Sequence, residues 1–290
     1  MGLDLLLLEP FAEFEFMRRA LVACLALSVG CGPVGTLLVL RRMSLVGDAL
    51  SHAVLPGAAI GFMVAGLSLV AMSLGGFIAG ISVALLSGLA ARMTLQNEDA
   101  SFAAFYLISL SLGVLIVTTH GSSVDLMHVL FGSILAVDDA SLLLIVAIAT
   151  LTLFILALIG RALIVECFDP GFMRAVGGPG TMVHLAFLVL VVMNLVAGFH
   201  ALGTLMAVGL MMLPAAAARF WAGGVGTLAV ASTAIAFGSA YVGLLLSYHA
   251  DLPTGPAVIL VAGGVYCASL VMGPRGSLMT QFVRRRHLVA

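Results

Sequence analysis

The stretch ALVACLALSVGCGPVGTLLVLRRMSLVGDALSHAVLPG, residues 20–57, decides the fold. Ala20–Leu40 carries no charge and stops at Arg41-Arg42. About 20 apolar residues cross about 30 Å of hydrocarbon as a helix, so this run predicts a first span. Asp48 and His52 then open a second apolar run that lasts to Gly66.

The pattern repeats outward along the chain. Leu69–Ala91 is a third span that stops at Arg92, and Ser101–Thr119 is a fourth. Leu126–Ala136 is apolar but too short to cross, which predicts a short or re-entrant helix. Ser141–Ile159 is a fifth span, followed by a polar, Gly/Pro-rich loop, Glu166–Thr181. His184–Phe199 and Leu202–Ala218 are the sixth and seventh, joined by a turn at His200. Val225–Ser247 and Pro253–Met272 are the eighth and ninth, before a basic tail at about 274–290. The expected fold is all-α and polytopic, with eight or nine transmembrane helices in a single domain over residues 1–290.

Composition agrees. The chain is 62% apolar and 9% charged, where soluble domains run at about 45–50% and about 25%, and its mean hydropathy is +1.25. These values exclude a soluble enzyme, a disordered chain and a nucleic-acid binder. All 12 basic residues are arginine. Without lysine there is neither a P-loop Lys for a nucleotide phosphate nor a Schiff-base Lys. Any ATP is therefore bound by another chain, and no enzymatic activity is expected of this one. The four cysteines, Cys24, Cys31, Cys167 and Cys267, form no CxxC and read as small apolar fillers. The acidic start, with Asp4, Glu9, Glu13 and Glu15, is unlike a cleavable signal peptide.

With alternating spans, Arg41-Arg42, Arg92, Arg161, Arg174, Arg219, Arg275 and Arg284–Arg286 share one side, the cytoplasm by the positive-inside rule. Asp125, Asp138, Asp139 and Asp251 fall outside with His120, His200 and His249. An outer N-terminus sets Arg18-Arg19 against the rule, so the segment at about 1–17 is expected to lie along the interface. Gly57/Gly61, Gly76/Gly80 and Gly203 with Ala207 have spacings that permit close helix packing.

On a helix, Asp48 and His52 stand one turn apart on one face. An ionisable group inside a span is costly and is a functional candidate by default. Carboxylate and imidazole together make half of a site for a divalent cation. The same residues also suit a helix N-cap, with His52 bonded to backbone, and spacing alone leaves both readings open. The methionine content invites a copper reading, but no Met-x-x-Met cluster occurs, and Met206, Met211 and Met212 read as packing.

The run RRMSLVGDALSHAVLPGAAIGF resembles the signature of the membrane permeases of ABC-type zinc, manganese and iron importers. HVLFGSILAVDD (128–139), HALGTLMAVGLMMLPAAAARF (200–220) and DLPTGPAVILVAG (251–263) resemble the same family, in its order. The resemblance implies a homodimeric permease in a bacterial plasma membrane, with separate ATPase subunits and an extracytoplasmic metal-binding protein. It implies no tightly bound cofactor. It places Asp48 and His52 where family members contact the metal in transit. Imidazole puts zinc first, then manganese, then iron. It also implies that Gly171–Val176, between Pro170 and Gly177, is a cytoplasmic coupling helix presenting Phe172, Met173 and Arg174 to the ATPase. His120, Asp138, His200, His249 and Asp251 are candidates for an outer cation entrance, or ordinary solvated loop residues. The rival function is a secondary, ion-coupled metal carrier. Such carriers use several membrane carboxylates, and here Asp48 is the one expected inside a span.

Overall fold

In hydrocarbon every backbone N–H and C=O must find a partner within its own segment, so charge-free runs of this length become helices. The computed structural model describes residues 9–66, 68–95, 97–119 and 137–280. The helices are α1 (Glu15–Leu40), α2 (Ser44–Ala65), α3 (Leu69–Met93), α4 (Glu98–Thr119), α5 (Asp139–Phe168), α6 (Pro170–Ala175), α7 (Gly180–Leu202), α8 (Thr204–Ala218), α9 (Val225–Ala250) and α10 (Thr254–Met272). Among the described residues, eight of these are long and apolar enough to cross a membrane. The helix expected at Leu126–Ala136 lies outside the described residues, as does His120.

α1 and α7 are the most enclosed spans, and α7 is the hub. It packs against α1, α2, α3, α5 and α8. One group of helices, α2–α3–α4, leans on its one side; α1, α8, α9 and α10 form the other. Phe187, Leu188, Val191, Val192 and Val196 of α7 are buried between them. Mid-span, Asn194 Nδ2 donates to Thr152 Oγ1 of α5 at 2.8 Å. The outer faces of α4 and α5 carry exposed Leu107, Ile108, Leu115, Leu143 and Phe154, the surface that lipid covers.

The closest approach is between α2 and α3. A β-carbon added to Gly57 would run into the carbonyl of Gly75, and one on Gly75 into the carbonyl of Gly57. Gly61 is pressed in the same way on Ala71. Gly76 and Gly80 admit Val54 of α2, and Gly80 also admits Val192 of α7. Four of the five glycines expected to pack closely thus do so against backbone or branched side chains of neighbouring spans, and Gly57 meets Gly75 rather than a residue of its own helix.

Several boundaries differ from expectation. The turn between the sixth and seventh runs is at Gly203, not His200. Gly203 has a φ of 81°, which glycine adopts without strain. It is therefore an elbow rather than a packing face, and Ala207 packs on Gly198 instead. α8 has 15 residues, about 22 Å, less than the hydrocarbon thickness. α5 has 30 residues, about 45 Å, so it extends beyond the hydrocarbon. Its last turns include Glu166, which the sequence assigned to a loop.

Of the two arginines that conflict with an outer N-terminus, Arg19 is ion-paired. Arg19 lies 2.7 Å from Glu15 and 3.3 Å from Asp139. Glu15–Met17 belong to α1, while Phe11 and Phe14 pack on Tyr241 and Tyr248 of α9.

Candidate functional site

α2 starts at Ser44, with Met43 as its N-cap residue. Asp48 is therefore inside the helix, and the capping alternative does not describe it. At 1.5 Å per residue, Asp48 stands about 6 Å and His52 about 12 Å from the helix start. His52 Nε2 is 3.8 Å from Asp48 Oδ1. Ser51 Oγ donates to the Asp48 carbonyl at 2.7 Å, and the His52 ring lies 6.4 Å from that of Tyr106 on α4.

The opposite face of α2 is packed. Val46, Leu50, Ala53 and Val54 are buried against α3, α4, α7 and α8. Leu45, Asp48, Ile60 and Met63 are exposed, and His52 is a third exposed. Among the described residues a stripe along this face of the span is thus partly open, and the carboxylate–imidazole pair sits within it. The two groups are near enough to share a cation after a small side-chain rotation, and together they supply two ligands. Among the described residues no group of three or more His, Cys, Asp or Glu gathers into a metal site. A full coordination shell therefore needs ligands from elsewhere.

The expected outer residues do not form a cluster among the described residues. Asp138 caps α5, accepting from Ser141 N at 2.9 Å. Asp251 ends α9 with a φ of 50°, and His249 lies in the last turn of that helix against Tyr248. His200 is on the last turn of α7.

At the arginine-rich end, α5 leads into α6. Asp169 Oδ1 accepts from Phe172 N at 2.8 Å, and Pro170 occupies the first turn, where a missing N–H costs nothing. Gly177 has a φ of 70°. Its N–H bonds to Arg174 O at 3.0 Å, and the Gly178 N–H to Met173 O at 2.9 Å, a Schellman closure. Phe172 and Arg174 face outward, as do Phe168 and Val176. Met173 is buried against Gly178 and Gly180, so it anchors the helix rather than presenting itself.

Sequence reading missed a set of contacts just behind α6. Arg92 Nη2 of α3 meets Glu166 Oε1 of α5 at 2.5 Å, and Arg92 Nη1 donates to Thr181 Oγ1 of α7 at 3.2 Å. Arg41, at the end of α1, is 2.7 Å from His184 Nδ1 and 3.0 Å from Cys167 Sγ, and lies over the Phe187 ring. The ends of α1, α3 and α5 and the start of α7 are thus at one end of the bundle. Arg42 and Arg219 line one depression at that end, and the Arg275 N–H bonds to Phe220 O. The alternation of spans expected from the arginines is the one the helices follow.

Known proteins share this arrangement. The chain is 28% identical over 277 residues to the manganese import system permease protein ScaB of Streptococcus gordonii, covering 96% of this chain and 98% of that one. It is 30% identical over 266 residues to the chelated iron transport system membrane protein YfeD of Yersinia pestis, covering 92% and 88%. Its fold superposes on the structure of PsaBC from Streptococcus pneumoniae in complex with Fab with a TM-score of 0.82, 26% identity, and coverage of 97% and 98%. The model of the ABC 3 transport family matches residues 13–273. With eight apolar spans among its described residues, this multi-pass permease of the bacterial plasma membrane belongs to the ABC 3 transport family of metal importers.

Proposed function

We propose that the chain forms, as a homodimer, the translocation pathway of an ATP-driven importer of a divalent transition metal, with Asp48 and His52 contacting the ion in transit. The observation that carries this is the open stripe of α2. A carboxylate–imidazole pair 3.8 Å apart sits on a span face that stays partly open among the described residues, with Tyr106 of α4 at its edge. A two-fold copy set against that face supplies a second pair, giving two oxygen and two nitrogen ligands. Four such ligands suit tetrahedral zinc; manganese completes six with water or carbonyl oxygens. The relatives named above are manganese and iron permeases, which favours manganese over the zinc first expected. ATP hydrolysis belongs to separate ATPase subunits that dock on α6, and delivery to an extracytoplasmic metal-binding protein. The positive-inside rule puts α6 in the cytoplasm.

The test is uptake of radioactive manganese, iron and zinc into proteoliposomes holding the permease with and without its ATPase. ATP-dependent uptake of manganese above the other two supports the reading. Uptake that needs no ATPase and follows a proton gradient supports the ion-coupled carrier instead.

A further inference from the structure

We propose that Arg41 and the Arg92–Glu166 pair are positioning residues that carry motion of α6 to the start of α2, and so to Asp48 and His52. The proposal rests on the reading that α6 is the ATPase dock. The connection can be followed bond by bond. α6 follows α5 after the single residue Asp169, and buried Met173 locks it onto the start of α7. Glu166 lies three residues before Asp169 and is 5% exposed. Its carboxylate ties α5 to Arg92 of α3, whose other nitrogen holds Thr181 of α7. One turn further into α7, His184 holds Arg41, which also takes Cys167, the residue after Glu166. Three residues beyond Arg41, α2 begins.

The joint between Arg41 and α2 is stiff. The Arg41 and Met43 N–H groups bond back to Leu37 and Leu38 of α1, both at 3.0 Å, and Met43 is buried. Arg42 between them is held at a φ of 60°. A displacement of the α5–α7 junction therefore drags Arg41, and with it the first turn of α2.

Stability alone does not account for these charges. A buried ion pair is a poor net stabiliser unless its remaining donors and acceptors are also satisfied. Arg92 Nε and Glu166 Oε2 have no hydrogen-bond partner among the described residues. The pair links spans 74 residues apart in sequence, close to where α6 joins α5 and α7.

The experiment uses the full importer in proteoliposomes and reads metal moved per ATP hydrolysed, beside ATPase co-purification. Removing one partner would strand a buried charge, so the main variant is the double Arg92→Met, Glu166→Gln, which removes both. Arg41→Gln is the second variant, on the other limb. Both are expected to keep the ATPase bound and hydrolysing, while metal moved per ATP falls about tenfold, a coupling change within the usual range for linked sites. A merely structural role would lower the amount of assembled importer but leave that ratio unchanged, and this result overturns the proposal. Phe172→Ala separates the two ideas. If it leaves ATPase binding intact, the docking reading fails and the linkage with it. If it releases the ATPase while both linkage variants keep the parental ratio, docking stands and the linkage alone falls.

Discussion

Gly57 of α2 and Gly75 of α3 face each other so closely that neither can carry a β-carbon. That contact fixes which face of α2 is spent on packing, and leaves the face with Asp48 and His52 open. Gly57→Val should force the two helices apart and cost about 3 kcal/mol, the upper range for overpacking a tight contact. Gly160→Val is the control, because a β-carbon there meets nothing within 4 Å. Thermal unfolding in detergent reads both, and equal midpoints would mean that the α2–α3 contact is looser than described.

Asp48→Asn keeps the side-chain shape but removes the charge that offsets dehydration of a cation. Metal uptake should fall about tenfold or more, since 1.4 kcal/mol of lost ligation already equals a factor of ten. His52→Ala should do the same. Neither should change assembly with the ATPase, because both side chains stand on the open face. Wild-type uptake by the Asp48→Asn variant would remove the carboxylate from the pathway.

Phe172 and Met173 are neighbours with opposite tasks. Phe172→Ala should leave the unfolding midpoint where it is and reduce the ATPase that co-purifies. Met173→Ala should instead destabilise the protein by about 2 kcal/mol, the lower end for emptying a buried methionine site. Pull-down and thermal unfolding of the two single variants, side by side, check the division. Identical profiles would show that α6 does not have distinct inner and outer faces.

The side assignment rests on the arginines gathered at one end. In a cysteine-free background, Arg174→Cys should resist an impermeant thiol reagent in intact cells, and Asp251→Cys should react. Labelling of position 174 from outside would invert the topology and remove α6 from reach of a cytoplasmic ATPase.

Hydropathy alone located the spans well, because a charge-free run has one stable form in lipid. Asp48 and His52 were legible for the same reason: two polar residues stand out in an apolar run. What failed was anything set by backbone detail or by pairs distant in sequence. His200 looked like the turn because it is polar, yet the chain bends at Gly203, where a positive φ is free of strain. Glu166 looked like a loop residue because it is charged, and only the pairing of α5 with α3 shows what neutralises it. Arg41 and His184 are 143 residues apart, and neither has a signature of its own. Met173 could not be told from Phe172 until the Schellman closure of α6 set which side faced inward.

The short helix α8 has a consequence for water inside the bundle. At about 22 Å from Thr204 to Ala218, it is about 8 Å shorter than a 30 Å hydrocarbon slab. The first amides after an elbow have no partner within their helix, and lipid tails offer none. Gly203 is buried within the bundle, so protein or water inside it must meet these amides. Backbone amides at 204–206 should exchange with deuterium far sooner than those of mid-α7, which would mark the elbow as a wet point inside the bundle.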